Sequence, residues 1–481
     1  MRKGKRSAQA GDPTDGRRRQ GSQPHGRDPQ GRGAQPAEPD GGTPGRYIKI
    51  GTLQLRHPTA LNTSHPDLFA YPMTTAARAN TTSWTFRTRF RRGAFGWKGT
   101  QLAIGRINEA LTEIRAVARH DPARAAEGAV LLLEKLSPAL CQIDSSSGAL
   151  GNATFATVQE LAPLISQAPV STKVRQQWLD RLFEAIQEDD PPYIESLGDH
   201  WGDLCATREL ASAWADQLLP TLKNVLRERK RGTHAFFSGT TLCYSALFKA
   251  ERHDQILELL DMDPHPIWPY LVWGAKVLAT RGHIDEAIAY LRERAGSTTS
   301  ETSIARFAEE ELLKAGRRAE AFNQYALLAN QANTHIATFR ALAKKYPELA
   351  KDRLLDHLIA STPGEPGKWF ASAKTLKLFE QATRLAWASP CDPKTLNRAA
   401  RDHLKTQTDF AMQCALASLH WMSLGHGYEL TGMDVQDAHR MAIEAASITQ
   451  QNEQVHATIG QIFTPDRPMS FWMKRSLGLV P

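Results

Sequence analysis

The stretch EDDPPYIESLGDHWGDLC, residues 188–205, gathers seven acidic or histidine side chains. Such a set could bind a metal ion or perform acid–base chemistry, so an enzyme with a site around Asp190–Asp203 is one interpretation. The other is an amphipathic helix that is capped by Asp190. We favour the helix, because a metal site needs ligands that converge with supporting hydrogen bonds. Its apolar stripe would be Ile194, Leu197, Trp201 and Leu204, with Glu195, Asp199 and Asp203 opposite.

A second candidate is WTFRTRFRRGAFGWKG, residues 84–99, which interleaves basic and aromatic side chains. Basic residues contact phosphates and aromatic rings stack on bases, so this segment could bind single-stranded nucleic acid. We favour the alternative that its rings pack on the first helix as a cap, because no nucleic-acid-binding fold accompanies it. The contacts in the first case would be Arg87, Arg89, Arg91, Arg92 and Trp97.

Composition excludes several classes of protein. The apolar fraction of 41% is enough to bury a core. The sequence contains no apolar run long enough to span a membrane and no secretory signal. The five cysteines form no CxxC pair and lie among apolar neighbours, which indicates buried thiols in a reducing compartment rather than disulfides or zinc fingers. We therefore expect a cytoplasmic protein without a cofactor or metal.

The positive charge belongs to the N-terminal extension. Residues 1–98 hold 18 Lys and Arg against 6 Asp and Glu, whereas the remainder holds 41 against 45. Residues 1–72 begin with a low-complexity, Gly-, Pro- and Arg-rich stretch that cannot bury enough surface to order itself, so we expect a disordered extension. The abrupt change of composition at Met73 leaves two alternatives for the start of translation, Met1 and Met73. We assign 73–99 as a basic and aromatic N-terminal segment.

From Thr100 to about Phe463, apolar residues recur at helical spacing between polar caps and Gly-containing turns. No stretch shows clear strand alternation. The sequence therefore predicts an all-α fold, with helices on short connections over residues 100–463 and a C-terminal tail over 464–481.

An internal repeat lies within this helical region. In LATRGHIDEAIAYL, Gly282 precedes Ala287 by five residues, and in LLKAGRRAEAFNQY, Gly316 precedes Ala321 by the same interval. The two glycines are 34 residues apart. Glycine permits a tight turn between two helices, and the small alanine lets the second helix pack closely on the first. A third copy, LFKAERHDQILELL, places Glu251 in the Gly position.

These hairpins, over about residues 236–330, resemble tetratricopeptide repeats, whose 34-residue period they share. The resemblance implies an α-solenoid of stacked helical hairpins that acts as a protein-interaction scaffold. The stretch LLLEKLSPALCQIDSSSGALG also resembles uncharacterised bacterial helical-repeat proteins, some of which carry a SWIM zinc finger. This chain has no CxC element, so the resemblance implies no zinc site here.

The resemblance also implies a concave groove lined by the first helix of each hairpin. Its basic residues would make the groove positive, and we expect it to select an acidic segment or a C-terminal carboxylate of a partner protein. The groove residues carried over from the repeat positions are Thr241, Ser245, Lys249, Val272, Lys276, Arg306, Glu310 and Lys314.

Overall fold

The structure is a computed structural model that describes residues 48–49, 83–296 and 299–481. The fold is all-α, as predicted. Within the described residues, the exception is a pair of two-residue parallel strands, β1 (Ile48–Lys49) and β2 (Ala235–Phe236). Strand β1 lies within residues 1–72, the extension for which we expected disorder. The rest of that expectation, and the alternative start at Met73, lie outside the described residues.

Polar caps start several helices of the N-terminal region. The side chains of Asp121, Ser171 and Thr207 each accept a hydrogen bond from a backbone N–H in the first turn of the following helix. Such caps satisfy N–H groups that have no partner within the helix. The helices are α1 (Thr100–Ala118), α2 (Pro122–Leu140), α3 (Ala149–Ser166), α4 (Thr172–Gln187), α5 (Trp201–Cys205) and α6 (Arg208–Lys230), with 3-10 turns at Thr85–Thr88 and Glu195–His200.

Three helical hairpins follow. They are α7 (Thr240–Lys249) with α8 (His253–Met262), α9 (Trp268–Thr280) with α10 (Ile284–Arg294), and α11 (Glu301–Lys314) with a broken second helix. That second helix consists of α12 (Arg318–Ala321), a π-helical turn at Phe322–Ala326, and α13 (Leu327–Ala329).

The turns of these hairpins share one geometry. Gly282 and Gly316 have φ angles of +86° and +76°, and Glu251 has +56°. The N–H of the next residue then bonds to the carbonyl five residues earlier, as in Arg317 to Leu312 at 2.8 Å. This is the left-handed helix end that glycine adopts without strain. The turns predicted at Gly282, Gly316 and Glu251 are therefore confirmed.

The residue five positions after each turn is fully buried, as the predicted close packing requires. Ala287, Ala321 and Ile256 each have 0% exposure. A fourth turn of the same kind lies at Lys377, with φ +61°, and is followed five residues later by the buried Ala382. We did not predict this copy, because lysine gives no turn signal.

The C-terminal region is also helical, and its last helix corrects a prediction. Residues 464–481, expected as a tail, contain the helix Ser470–Ser476, whose Met473 is fully buried. The helices are α14 (His335–Lys345), α15 (Lys351–Ala360), α16 (Phe370–Thr375) after a 3-10 turn at Pro366–Trp369, α17 (Phe379–Ala388), α18 (Pro393–His403), α19 (Thr408–Ser423), α20 (Gly432–Thr449), α21 (Asn452–Ile462) and α22 (Ser470–Ser476).

The buried apolar residues of the described chain form successive clusters. The largest extends from Phe86 to Val277, and the second from Ala326 to Met473. Two smaller clusters, between Leu271 and Ala329, belong to the hairpins of α9 to α13. None of the helices in the described ranges is long and apolar enough to cross a membrane.

Candidate functional site

A cavity of 760 Å³ lies where the first helices of the three hairpins meet the stretch Glu195–Cys205. We call it the Lys276 cavity and call Glu195–Cys205 the acidic segment. The cavity is lined by Asp199, Gly202, Asp203, Ser245, Phe248, Lys249, Glu251, His253, Trp273, Lys276, Thr280, Glu310, Glu311 and Lys314.

The acidic segment forms one wall, and its apolar stripe holds it in place. The four stripe residues predicted above each have 0% exposure, so the predicted amphipathic arrangement is confirmed. The predicted start of the helix, with Asp190 as its cap, is wrong. The backbone N–H groups of Tyr193 and Ile194 donate to Asp189 rather than to Asp190, at 2.9 and 2.7 Å, and helical geometry begins only at Glu195.

Gly202 lets this wall approach α7 closely. A side chain at Gly202 would meet the carbonyl oxygen of Ser245 at 2.3 Å. The hydroxyl of Ser245 instead accepts from the Gly202 N–H at 2.9 Å and donates to the Asp199 carbonyl at 3.0 Å. Asp199 and Asp203 of the acidic face thereby line the same cavity as the lysines of the hairpins.

The floor of the cavity is aromatic. The rings of Phe248 and Trp273 are 5.6 Å apart, and Phe248 also contacts His253. The ammonium of Lys276 lies 3.9 Å from the centroid of the Trp273 ring. A cation over a tryptophan face is attracted by about 0.5–2 kcal/mol. This contact holds Lys276 at the floor, where its charge can meet a ligand.

Most charged groups of the cavity already have partners. Lys249 pairs with Asp203 at 3.3 Å, and Lys314 pairs with Glu310 and Glu311 at 2.8 and 2.7 Å. Glu251 pairs with Arg208, outside the cavity. Lys276 and Asp199 are different: neither side chain forms an ion pair or hydrogen bond with another residue of the described chain.

The surroundings perturb both of these charges. Burial lowers the pKa of Lys276, although the Asp199 and Glu310 carboxylates oppose this effect. Burial likewise raises the pKa of Asp199, against the attraction of Lys276 and His200. In both cases the unfavourable effect of burial on the charged form is larger than the favourable effect of the neighbouring charges.

The predicted groove residues divide into two groups. Ser245, Lys249, Lys276, Glu310 and Lys314 line the cavity. Thr241, Val272 and Arg306 do not: Thr241 packs beside Gly198, Val272 packs on the hydrophobic core, and Arg306 donates to the Ala329 carbonyl. The hydroxyl of Ser245 is already hydrogen-bonded to the acidic segment. The prediction missed Asp199, Asp203, Glu251 and Glu311, because it considered the first helices one repeat position at a time.

The basic and aromatic segment has a different environment. Phe86, Phe90 and Phe95 have at most 3% exposure, and Arg89 pairs with Glu109. These rings belong to the core beside α1 and α2, as the cap interpretation predicts. Trp97 and all four arginines, Arg87, Arg89, Arg91 and Arg92, are exposed. Because the three phenylalanine rings are buried, most of the stacking surface needed for single-stranded nucleic acid is absent from the described part of this segment.

No group of three or more potential metal ligands is found among the described residues. Comparison of the chain with protein-family models, with curated proteins and with solved structures gives no match. What the Lys276 cavity does must therefore follow from its own geometry and charges.

Proposed function

We propose that this chain is a scaffold of stacked helical hairpins that holds a segment of a partner protein in the Lys276 cavity. The partner presents an anionic group, an acidic side chain or a C-terminal carboxylate, to the ammonium of Lys276. Solenoids built from such hairpins use the first helix of each unit as a binding surface. Here the first helices α7, α9 and α11 contribute lining residues to one cavity.

Ion pairs between successive hairpins support the stacked arrangement. Arg281 at the end of α9 bonds to Asp254 in α8 at 2.6 Å, and Arg317 beside the next turn bonds to Asp285 in α10 at 2.9 Å. In both pairs the aspartate lies three residues after a left-handed turn residue. An arginine beside the turn of one hairpin thus pairs with this aspartate of the preceding hairpin in both cases, although Arg281 precedes its turn glycine and Arg317 follows it.

The unpaired ammonium of Lys276 is the observation that carries the proposal. Lys249 and Lys314 form ion pairs with carboxylates, whereas the ammonium of Lys276 contacts the Trp273 ring and is within ion-pair distance of no carboxylate in the described chain. A partly buried charge without a partner raises the free energy of the folded protein, and the binding of an anion would remove that penalty. The volume of 760 Å³ is within the range of pockets that hold a drug-sized ligand, so the cavity has room for the side chains that a bound segment would insert.

The test is a selection of random displayed peptides against the purified protein, followed by titration of the selected peptides. Lys276→Met keeps the aliphatic stem over Trp273 but removes the charge, and we expect it to lower affinity by about 2 kcal/mol or more. Lys344→Glu is the control, because Lys344 lies exposed on α14, outside the cavity. Reversal of Lys249 or Lys314 is unsuitable, since it would break existing ion pairs.

The proposal requires that selected peptides bind wild type and Lys344→Glu alike and bind Lys276→Met weakly. Thermal melts of the variants establish that each is folded. Selected peptides that bind Lys276→Met as tightly as wild type, or a selection that yields no binder, would overturn the proposal.

A further inference from the structure

Two opposite charges in the Lys276 cavity attract each other but lie beyond ion-pair distance, and within the described residues neither side chain has an ion pair or a hydrogen bond. Asp199 belongs to the acidic segment and Lys276 to α9, and no ion pair joins them. The remaining charged lining residues are held in pairs: Asp203 with Lys249, Glu251 with Arg208, and Glu310 and Glu311 with Lys314. A complementary ligand therefore has to bring one negative and one positive group.

The paired carboxylates also restrict which anions can enter. Asp203, Glu251, Glu310 and Glu311 line the cavity together with Asp199 and three lysines. The groove that we expected to be positive therefore has more carboxylates than lysines, and that expectation is wrong. A segment with several adjacent acidic residues would place its additional charges against these groups, and like charges at close range are strongly unfavourable. A single acidic group beside a basic one avoids this repulsion.

We propose that Asp199 is a second specificity determinant, so that the bound segment carries an acidic side chain for Lys276 and, two positions away, a lysine or arginine for Asp199. This inference rests on the proposed function and names the class of partner. An extended segment directs residues i and i+2 to the same side, about 6.5 Å apart along the chain. That spacing suits two sites on separate elements that are beyond ion-pair distance from each other.

An internal extended segment is favoured over a chain end, because the cavity is open and crosses helices of three successive hairpins. Asp199 lines the cavity, and its hydrogen bond with Ser245 uses the backbone carbonyl and not the carboxylate. Asp199→Asn therefore removes the charge while leaving that wall contact intact.

The experiment uses acetylated and amidated nonapeptides with Glu and Lys two positions apart, in both orders, in a random background. Comparison peptides replace Lys by Gln, replace Lys by Glu, or place Glu and Lys next to each other. A further set replaces Glu by Gln and leaves both peptide termini unblocked. Affinities are measured for wild type, Asp199→Asn, Lys276→Met and the control Asp402→Asn, whose side chain is exposed on α18. Thermal melts confirm that each variant is folded.

We expect Asp199→Asn to weaken the Glu–x–Lys peptide about tenfold, and replacement of the peptide lysine by Gln to do the same. The two changes together should lower the affinity no more than either change alone, because each removes the same interaction between Asp199 and the peptide lysine. Asp402→Asn should bind like wild type, and the Glu–x–Glu peptide should bind more weakly than Glu–x–Lys.

Several results would overturn the inference. If Lys276→Met abolishes binding but Asp199→Asn changes nothing, the cavity binds an anion and only the role of Asp199 is wrong. Preference for Glu–x–Glu, or for adjacent Glu and Lys, would exclude the spaced pair. If unblocked peptides bind without any Glu, the anion is a chain terminus and the internal segment is wrong. Insensitivity to Lys276→Met would remove the proposed function as well.

Discussion

Lys276 combines a ring contact, a perturbed pKa and the lack of a carboxylate partner within the described chain. Sequence analysis placed it in a groove, because the repeat register points this position of α9 to the concave side. It could not show that Lys249 is paired, because its partner Asp203 lies 46 residues away along the chain. The partners of Lys314 are Glu310 and Glu311 on the same helix, a spacing that the sequence already contains and that the groove prediction did not use.

The lowered pKa of Lys276 predicts the pH dependence of peptide binding. An anion binds the protonated amine. Affinity is therefore constant between the pH at which the peptide carboxylate ionises and the pKa of Lys276 in the unliganded protein, and it falls as the pH rises through that pKa. Because burial places that pKa below the ordinary 10.5, the fall should begin at a lower pH than for an exposed lysine. Lys276→Arg stays charged and should bind with a flat profile over the same range. Identical profiles for wild type and Lys276→Arg, measured by titration at successive pH values, would contradict the assignment.

The turn glycines make a prediction about stability. Gly316 has a φ of +76°, so Gly316→Ala should destabilise the protein by about 1–2 kcal/mol even though a methyl group would meet no atom. Gly105 is exposed within α1, has no positive φ and also has free space around it, so Gly105→Ala should stabilise by about 0.5–1 kcal/mol. Urea unfolding of the two variants measures both effects. Equal shifts of the same sign would refute the hairpin turn at Gly316.

At the scale of elements, helical periodicity predicted the face of the acidic segment but not its ends. The stripe from Ile194 to Leu204 followed from spacing alone. The choice of Asp190 as the cap failed because Asp189 and Asp190 are equivalent in pattern, and backbone direction decides which one reaches Tyr193 and Ile194. Likewise, Lys377 occupies a turn position that composition does not reveal.

Neighbouring aspartates allow a matched test of that cap. Asp189→Ala leaves the N–H groups of Tyr193 and Ile194 without their acceptors, so we expect a loss of about 1–2 kcal/mol of stability. Asp190→Ala should change stability little, because the Asp190 side chain is exposed. Chemical denaturation of both variants gives the comparison. If Asp190→Ala is the more destabilising change, the start of the acidic segment has been assigned wrongly.

At the scale of the molecule, the sequence predicted the all-α class and the helical region, whereas the cavity could not be predicted. Its walls come from residues 199–203 and 310–314, which are about a hundred positions apart. Only the packing of the intervening helices brings them together. The expected C-terminal tail failed for a related reason: Met473 is buried by α20 and its neighbours, which local composition does not show.

The succession of buried clusters predicts how truncation acts. A chain that ends at Asn330 loses most of the second large cluster but keeps every lining residue of the Lys276 cavity. It should retain helical circular dichroism and bind the selected peptides. A chain that ends at Leu404 lacks α19, the helix that packs on α18, so Leu396, Ala399 and Ala400 become exposed. The C-terminal part of this chain should therefore unfold at a lower urea concentration than in the full chain. Loss of all helical signal in the 330-residue chain would contradict this organisation.

The central claim is that a partner segment lies in the Lys276 cavity, and photo-crosslinking tests it most directly. A selected peptide that carries a benzophenone next to its acidic residue is irradiated with the full chain, and the attachment site is mapped by mass spectrometry. We predict attachment within α9 or α11, near Trp273, Thr280 or Glu311, and competition by unlabelled peptide. Competable attachment elsewhere, with these helices unlabelled, would contradict the account.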